Sequence, residues 1–386
     1  MTQETKAAHG MESDESAASK QSNPSKFDFT DLVILSRYAG ERFDLVQAGG
    51  GNTSVKLDDG RLFVKASGMA LSDVGESDFC CVRWQPLLDF LDGADVNADR
   101  AELEAQSKEI VKNACEPGPK RPSIETMLHC TLGKLTLHTH PVAVAAAVCR
   151  NDWNEQLAEL FGDAFFVDYK TPGPALALAL RQQLQQRNWQ LGKPAVIFLQ
   201  NHGLIVAGNT LQEVIKITDA VVEKVGKIYP NDLSKYKSVS TISQLVNEVC
   251  GTEWLAYLSD DQILNDAIFK NKESILARCA TPDQLVYCGP QGLLLPSEDI
   301  EAAKVSIKKF LKEKKHAPKV VLMPACGQLR IFLLGKSLRK CKEMEDVLKS
   351  HVILQNSGSF STMQFLPDDE VDYLSNWDAE KYRQNL

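Results

Sequence analysis

The sequence of 386 residues contains no run of 18 apolar residues, so it predicts no membrane-spanning helix. Its first residues carry acidic side chains and no apolar segment, so we expect no secretory signal. None of the ten cysteines stands in a C-x-x-C pair, which argues against a disulfide framework and against a cysteine-based zinc site. Isolated cysteines in apolar stretches are typical of a reducing compartment, and we therefore expect a cytoplasmic protein.

Motifs for binding nucleotides are also absent. The glycine turn at 49–51 lacks the last glycine of G-x-G-x-x-G, because Ser54 stands at that position, and no G-K-[ST] follows. The net charge of −8 argues against nucleic acid as a partner. Glycines can still let backbone N–H groups converge on a phosphate, with Asn52, Ser67 and Ser123 as side-chain donors. A tight hairpin turn explains the same glycines equally well, so both interpretations stay open.

Only seven histidines occur, and three of them follow apolar runs. His138 and His140 stand two residues apart after one such run, and His202 follows another. On a strand, residues i and i+2 point to the same side about 6.6–6.8 Å apart, so two imidazoles can lean together onto one zinc ion. A third histidine from another strand end leaves a position open for substrate, as in catalytic zinc sites. A lone strand histidine is more often a hydrogen-bonded core residue, and that alternative stays open.

A carboxylate precedes this histidine pattern. Glu125 follows Ser123, which is a good N-cap for a predicted helix over 124–132. This prediction places Glu125 in the first helical turn, near the positive end of the helix dipole, where its ionised form is favoured. We interpret Glu125 as an acid/base group beside the metal.

Changes in composition predict how the chain is divided. Residues 1–26 are polar and predict a disordered tail. Residues 27–228 contain all the candidate site residues and predict the main domain. After a polar linker at 229–237, residues 241–386 predict a smaller α+β domain.

Inside this second predicted domain, the apolar pattern indicates helix over 242–278 and short strands over 283–295.

Residues 28–228 resemble the class II aldolase/adducin family, because five motifs occur in that family's order. They are Gly50-Gly51-Asn52-Thr53-Ser54, Lys65-Ala66-Ser67-Gly68, Pro122-Ser123-Ile124-Glu125, His138-Thr139-His140-Pro141 and Asn201-His202-Gly203. Within the family, the likeness is greatest to the aldolase half of bifunctional rhamnulose-1-phosphate aldolase/alcohol dehydrogenases. Residues 241–386 resemble the region that follows the aldolase there.

The resemblance implies an α/β fold, a three-layer α/β/α sandwich around a mostly antiparallel sheet, in a homo-oligomer that is usually a tetramer. It implies Zn²⁺ held by three histidines and a carboxylate as catalytic acid/base: His138, His140, His202 and Glu125. It also implies four residues that bind the substrate phosphate: Asn52, Ser67, Gly68 and Ser123. The expected reaction cleaves or forms a C–C bond in a ketose, expected to be a ketose 1-phosphate, through a zinc-stabilised enediolate.

Some features leave alternatives open. Ile124 stands where relatives often carry a second serine, so the substrate could be larger or lack a phosphate. The tyrosine that a neighbouring subunit often supplies is not located, and Tyr169 stays outside the predicted site. Ketose-phosphate epimerases and a dehydratase use the same metal set. In cupin-type oxygenases the carboxylate usually follows His-x-His, whereas Glu125 precedes it. Adducin-like scaffolds lack the histidine set that is intact here.

Overall fold

The structure is a computed structural model that describes residues 27–95, 99–229, 233–357 and 363–376. The predicted tail at 1–26 and part of the predicted linker lie outside the described residues. Within these ranges the chain forms two sheets, one of seven strands and one of four.

The larger sheet has the order β3-β2-β1-β4-β7-β6-β5, and every neighbouring pair is antiparallel except β5 with β6. Its strands are β1 Asn52–Lys56, β2 Arg61–Lys65, β3 Phe79–Arg83, β4 Leu135–Thr139, β5 Phe165–Val167, β6 Ala195–Leu199 and β7 Gly203–Gly208. This arrangement confirms the prediction of a mostly antiparallel sheet.

Helices cover both faces of this sheet. They are α1 Thr30–Gly40, α2 Trp84–Gly93, α3 Arg100–Ala114, α4 Thr126–Cys130, α5 Val142–Val148, α6 Trp153–Leu160, α7 Pro174–Gln186 and α8 Leu211–Gly226. One apolar cluster joins the sheet to α1, α5, α6 and α8, and a second joins it to α2, α3, α4 and α7. The predicted three-layer α/β/α sandwich is therefore confirmed.

Strand β4 contributes side chains to both faces of the larger sheet. Successive side chains on a strand point to opposite faces. Leu135 and Leu137 belong to the cluster on the α1 side, whereas His138 points toward α4, where its ring lies near Glu125. All five residues of β4 are buried, so a polar side chain on this strand must find its partners inside the protein.

The smaller sheet has the order β8-β11-β10-β9 and carries helices on both faces. Its region comprises α9 Lys237–Cys250, β8 Leu255–Leu258, α10 Gln262–Asn271, α11 Glu273–Leu276, α12 Pro282–Cys288, β9 Leu293–Leu294, α13 Ile300–Lys314, β10 Val320–Ala325, β11 Gln328–Gly335, α14 Leu338–Asn356 and α15 Asp368–Asn376. The presence of this further α/β region agrees with the expected fold, and the domain boundaries stay a prediction.

Two local predictions for this region are wrong. Strand β8 interrupts the helix predicted over 242–278, because Leu255–Leu258 pairs with β11 along the edge of the smaller sheet. Much of the segment predicted as short strands, 283–295, is instead α12, whose N-cap Thr281 accepts the Gln284 N–H. Short apolar runs fit a buried strand and a buried helix equally well, and tertiary pairing decides between them.

A buried carboxylate joins the two sheet regions. Glu41, directly after α1, accepts the Ser243 hydroxyl of α9 at 2.8 Å and the Ala256 N–H of β8 at 3.0 Å. Burial raises the pKa of Glu41 to about 8, although these two donors and nearby arginines act in the opposite direction. The C-terminal region is thus held to α1 by a carboxyl group that favours its protonated form.

Among the described residues, no helix combines the length and the apolar character that crossing a bilayer requires.

We predict that Glu41 makes the protein less stable as the pH rises. Its folded-state pKa of about 8 lies above the ordinary 4.5, so between these values the folded chain holds a proton that the unfolded chain has lost. The free energy of unfolding should therefore fall from pH 5 to pH 8, by up to about 1.4 kcal/mol per pH unit from this group. Urea unfolding at several pH values measures this dependence. In Glu41→Gln, the part of the pH dependence of the free energy of unfolding that comes from this group should disappear.

The matched control is Glu109→Gln, which makes the same change on the exposed face of α3 and should keep the wild-type slope. Equal slopes for wild type and Glu41→Gln would contradict the assignment.

Candidate active site

The three predicted histidines lie together at one end of the larger sheet. His138 is the fourth residue of β4, and His140 follows one residue after the strand ends. His202 lies in the short turn between β6 and β7. Because β7 pairs with β4, with His138 opposite Ile205, this turn lies against the end of β4.

The ring nitrogens of these histidines converge. The Nε2 atom of His138 lies 3.1 Å from Nε2 of His140 and 3.2 Å from Nε2 of His202. One ligand atom from each of the three rings falls within 4.8 Å of the other two. No other group of three or more histidine, cysteine or acidic side chains in the described ranges has such an arrangement.

Glycines allow the backbone to approach these rings. A Cβ atom on Gly203 would lie 2.4 Å from the carbonyl oxygen of Thr139, and one on Gly50 would lie 2.8 Å from Nδ1 of His140. Both distances are too short for any other residue. In the glycine turn before β1, Gly50 therefore packs against the His140 ring, whether or not the turn also binds an anion.

Glu125 faces the histidines. Its Oε2 lies 3.4 Å from Nε2 of His138, and its Oε1 lies 3.4 Å from Nε2 of His202. Burial by itself raises the pKa of this carboxyl, but His138, His202 and the Asn52 amide outweigh burial and lower the pKa to about 2. Glu125 is therefore ionised at neutral pH. Its Oε1 accepts no hydrogen bond from the described residues.

The helix predicted over 124–132 is shorter than expected. Helix α4 begins at Thr126, so Glu125 precedes the first turn and does not lie within it. The chain is still extended at Pro122, which pairs with Ala66, and Ser123 then makes the turn. The Ser123 hydroxyl accepts the Glu125 N–H at 3.3 Å, and its carbonyl accepts the Thr126 N–H at 3.1 Å.

Strand β1 binds α4 through three side chains on one of its faces. Asn52 donates to Glu125 Oε2 at 2.7 Å, Ser54 is hydrogen bonded to Nδ1 of His129 at 2.6 Å, and Lys56 donates to the Cys130 carbonyl. These three residues alternate along the strand, so they share a face. Sequence reasoning missed His129, and the signal for it was the row of polar residues at 52, 54 and 56 on a buried strand.

The four predicted phosphate-binding residues do not share one environment. Ser67 and Gly68 are exposed in the turn after β2, and the Ser67 N–H donates to the Arg121 carbonyl, next to Pro122. Ser123 and Asn52 are buried, and the Asn52 amide donates to both Ser123 Oγ and Glu125 Oε2. Their role in binding a phosphate stays a prediction.

With this geometry established, comparison with known proteins identifies the family. The sequence profile described as the Class II Aldolase and Adducin N-terminal domain matches residues 30–229, more than half of the chain. The chain belongs to this family.

Individual relatives are more distant. An uncharacterized oxidoreductase of Bacillus subtilis, YuxG, is 23% identical over 415 residues, an alignment that covers 92% of this chain. The chain spans 58% of the length of that relative. The N-terminal class II aldolase domain of a Thermoplasma acidophilum protein is 26% identical with a TM-score of 0.45, covering 54% of this chain and 98% of that one. The l-fuculose-1-phosphate aldolase of Thermus thermophilus is 15% identical with a TM-score of 0.36, covering 52% and 95%.

The donor set of this class II aldolase family member fits a divalent metal ion. Zn–N bonds of about 2.0–2.1 Å place neighbouring nitrogens of a tetrahedral site about 3.3–3.4 Å apart, close to the separations of His138 Nε2 from the other two nitrogens. The His138 Nδ1 lies 3.0 Å from the Leu204 carbonyl and must donate to it, so Nε2 is the nitrogen that faces the other two rings. Burial, assisted by the neighbouring His138, lowers the pKa of His140 to about 3 and of His202 to about 4, so both rings are neutral, the form that binds metals.

We predict that the wild-type protein retains about one divalent ion per chain after dialysis, and that His138→Ala or His202→Ala loses it because a ligand nitrogen is removed. Elemental analysis by mass spectrometry measures the content. His351→Ala is the matched control, since His351 is a buried histidine that lies in α14, away from the three site histidines. Variants that retain the ion as well as wild type does would contradict the site.

Proposed function

We propose that this protein is a zinc-dependent aldolase that cleaves or forms a C–C bond in a ketose 1-phosphate, with His138, His140 and His202 holding the ion. The observation that carries the proposal is the position of Glu125, whose two oxygens each lie 3.4 Å from a different histidine of the cluster. Zinc, when bound, supplies a Lewis acid for the oxygens that gain negative charge as the C–C bond breaks.

The proposed role of Glu125 is to move the proton on and off the substrate carbon next to the carbonyl. Its low pKa keeps it ionised and able to accept a proton. Since Asn52 donates to Oε2, the other oxygen, Oε1, is the one available for the transfer.

The family match over residues 30–229 supports a metal-dependent, aldolase-like enzyme. The family includes adducin, and the intact histidine cluster with its carboxylate favours an enzyme over a scaffold. The same proposal includes a likeness to the aldolase half of a bifunctional aldolase/dehydrogenase. It also includes a homotetramer and a cytoplasmic location. A relative whose name calls it an oxidoreductase is compatible with such a fusion.

Ile124 bears on the substrate. Its side chain is 70% exposed directly before Glu125, and it offers no hydrogen-bond donor. The proposed function is tested by screening ketoses for aldehyde release with zinc present. Because of Ile124, each ketose 1-phosphate should be compared with the corresponding free ketose. A preference for the free ketose would contradict the predicted phosphate-binding role of four residues: Asn52, Ser67, Gly68 and Ser123. Epimerisation or dehydration without aldehyde release would replace the aldolase proposal by another reaction at the same site.

We predict that Glu125→Gln lowers turnover by about 10²- to 10⁴-fold on whichever ketose wild type accepts, the usual contribution of one acid/base group. Glutamine preserves the size of the side chain and an oxygen for the Asn52 amide, but it cannot accept the proton. Zinc content and the thermal midpoint should stay near wild type. Loss of zinc would make Glu125 a ligand, and unchanged turnover with zinc retained would contradict the mechanism.

A further inference from the structure

A chain of buried polar groups leads from β1 through α4 to the carboxylate. Ser54 Oγ is hydrogen bonded to Nδ1 of His129, the Nε2 of His129 is hydrogen bonded to Oδ1 of Asn52, and Nδ2 of Asn52 donates to Oε2 of Glu125. His129 is completely buried, Ser54 is 1% exposed and Asn52 is 4% exposed. These contacts therefore form without competition from solvent.

The direction of every hydrogen bond in this chain follows from its last member. A carboxylate only accepts hydrogen bonds, so the Asn52 atom facing Glu125 must be the amide nitrogen. The Asn52 oxygen then faces His129, and it too only accepts, so the ring nitrogen Nε2 must carry a hydrogen. Burial lowers the pKa of His129 to about 3, so the ring is neutral and its Nδ1 must accept from the Ser54 hydroxyl.

The opposite tautomer would reverse the Asn52 amide. With the hydrogen on Nδ1, Nε2 of His129 would accept a hydrogen bond, and the amide nitrogen of Asn52 would turn toward the ring. The amide oxygen would then face the Glu125 carboxylate, two acceptors in contact. The Ser54 hydroxyl can donate or accept, so it fits either tautomer, and the Glu125 carboxylate decides between them.

We propose that His129 is a positioning residue that acts through Asn52 on Glu125. By donating from Nε2 to Asn52, it directs the amide N–H at Oε2 of Glu125 and leaves Oε1 to exchange the proton. The assignment rests on the proposed function of Glu125 and extends it to Ser54, Asn52 and His129, residues outside the metal cluster. In this arrangement the Asn52 amide has both N–H groups in use, one toward Ser123 and one toward Glu125.

The kinetic test is His129→Leu, which removes both ring nitrogens while keeping an apolar side chain in the buried site. We expect kcat to fall about ten- to hundredfold, the usual effect of losing an outer-shell partner, with KM within about twofold of wild type and zinc content unchanged. His351→Leu, the same substitution at a buried histidine of α14, should keep the wild-type kcat. A wild-type kcat for His129→Leu, or an equal loss in His351→Leu, would overturn the proposal.

The second test needs neither substrate nor a variant that folds well. Two-bond ¹H–¹⁵N correlations of the zinc-loaded wild type, ¹⁵N-labelled in its histidine rings, should show His129 neutral with its hydrogen on Nε2 at pH 7. The hydrogen on Nδ1 would overturn the proposal whatever the enzyme does. Failure of wild type to act on any ketose would contradict the proposed function alone, because the tautomer is measured without turnover.

Discussion

The candidate site depends on strand β4 lying between β1 and β7. This one position sets His138 opposite Asn52 on one side and opposite Ile205 on the other. Pairing with β1 brings the amide that holds Glu125, and pairing with β7 brings the turn that carries His202. The three histidines and the carboxylate are thus brought together by the pairing of β4 with its two neighbouring strands.

The same arrangement places several polar side chains in a region that excludes water. Such groups are costly to bury unless each one finds a partner. Strand β1 supplies those partners, because its residues 52, 54 and 56 bond to successive parts of the segment 125–130. Nine buried side-chain atoms of the described residues have no hydrogen-bond partner, and two of them, Glu125 Oε1 and His202 Nδ1, belong to the candidate site. A carboxylate oxygen without a hydrogen-bond partner beside three imidazoles is an arrangement expected where a metal and a substrate bind.

Much of this architecture could be predicted from the sequence, but the tertiary contacts between distant segments could not. The spacing of His138 and His140, and the apolar run before His202, predicted side chains that the fold brings together. Local patterns could not reveal His129, whose importance comes from Asn52, a residue far away in the chain but adjacent across the β1–α4 contact. Local patterns also predicted a helix where the structure has β8, because Leu255–Leu258 becomes a strand only by pairing with β11. Both omissions concern tertiary contacts, which periodicity in one segment does not encode.

The contact through Glu41 adds a second level of organisation. It ties the smaller sheet region to α1, whose own Ser36 hydroxyl is hydrogen bonded to Thr53 on the face of β1 opposite Asn52. Strand β1 therefore lies between the site on one face and the helix that holds the C-terminal region on the other.

The central claim is that three histidines of this chain hold one zinc ion while Glu125 stays free of it. X-ray absorption at the zinc edge of the loaded protein tests this most directly. The account predicts three imidazole nitrogens at about 2.0–2.1 Å, completed by a water-derived oxygen, with the same spectrum in Glu125→Gln. Fewer than three imidazoles, a sulfur shell near about 2.3 Å, or a spectrum changed by Glu125→Gln would contradict it.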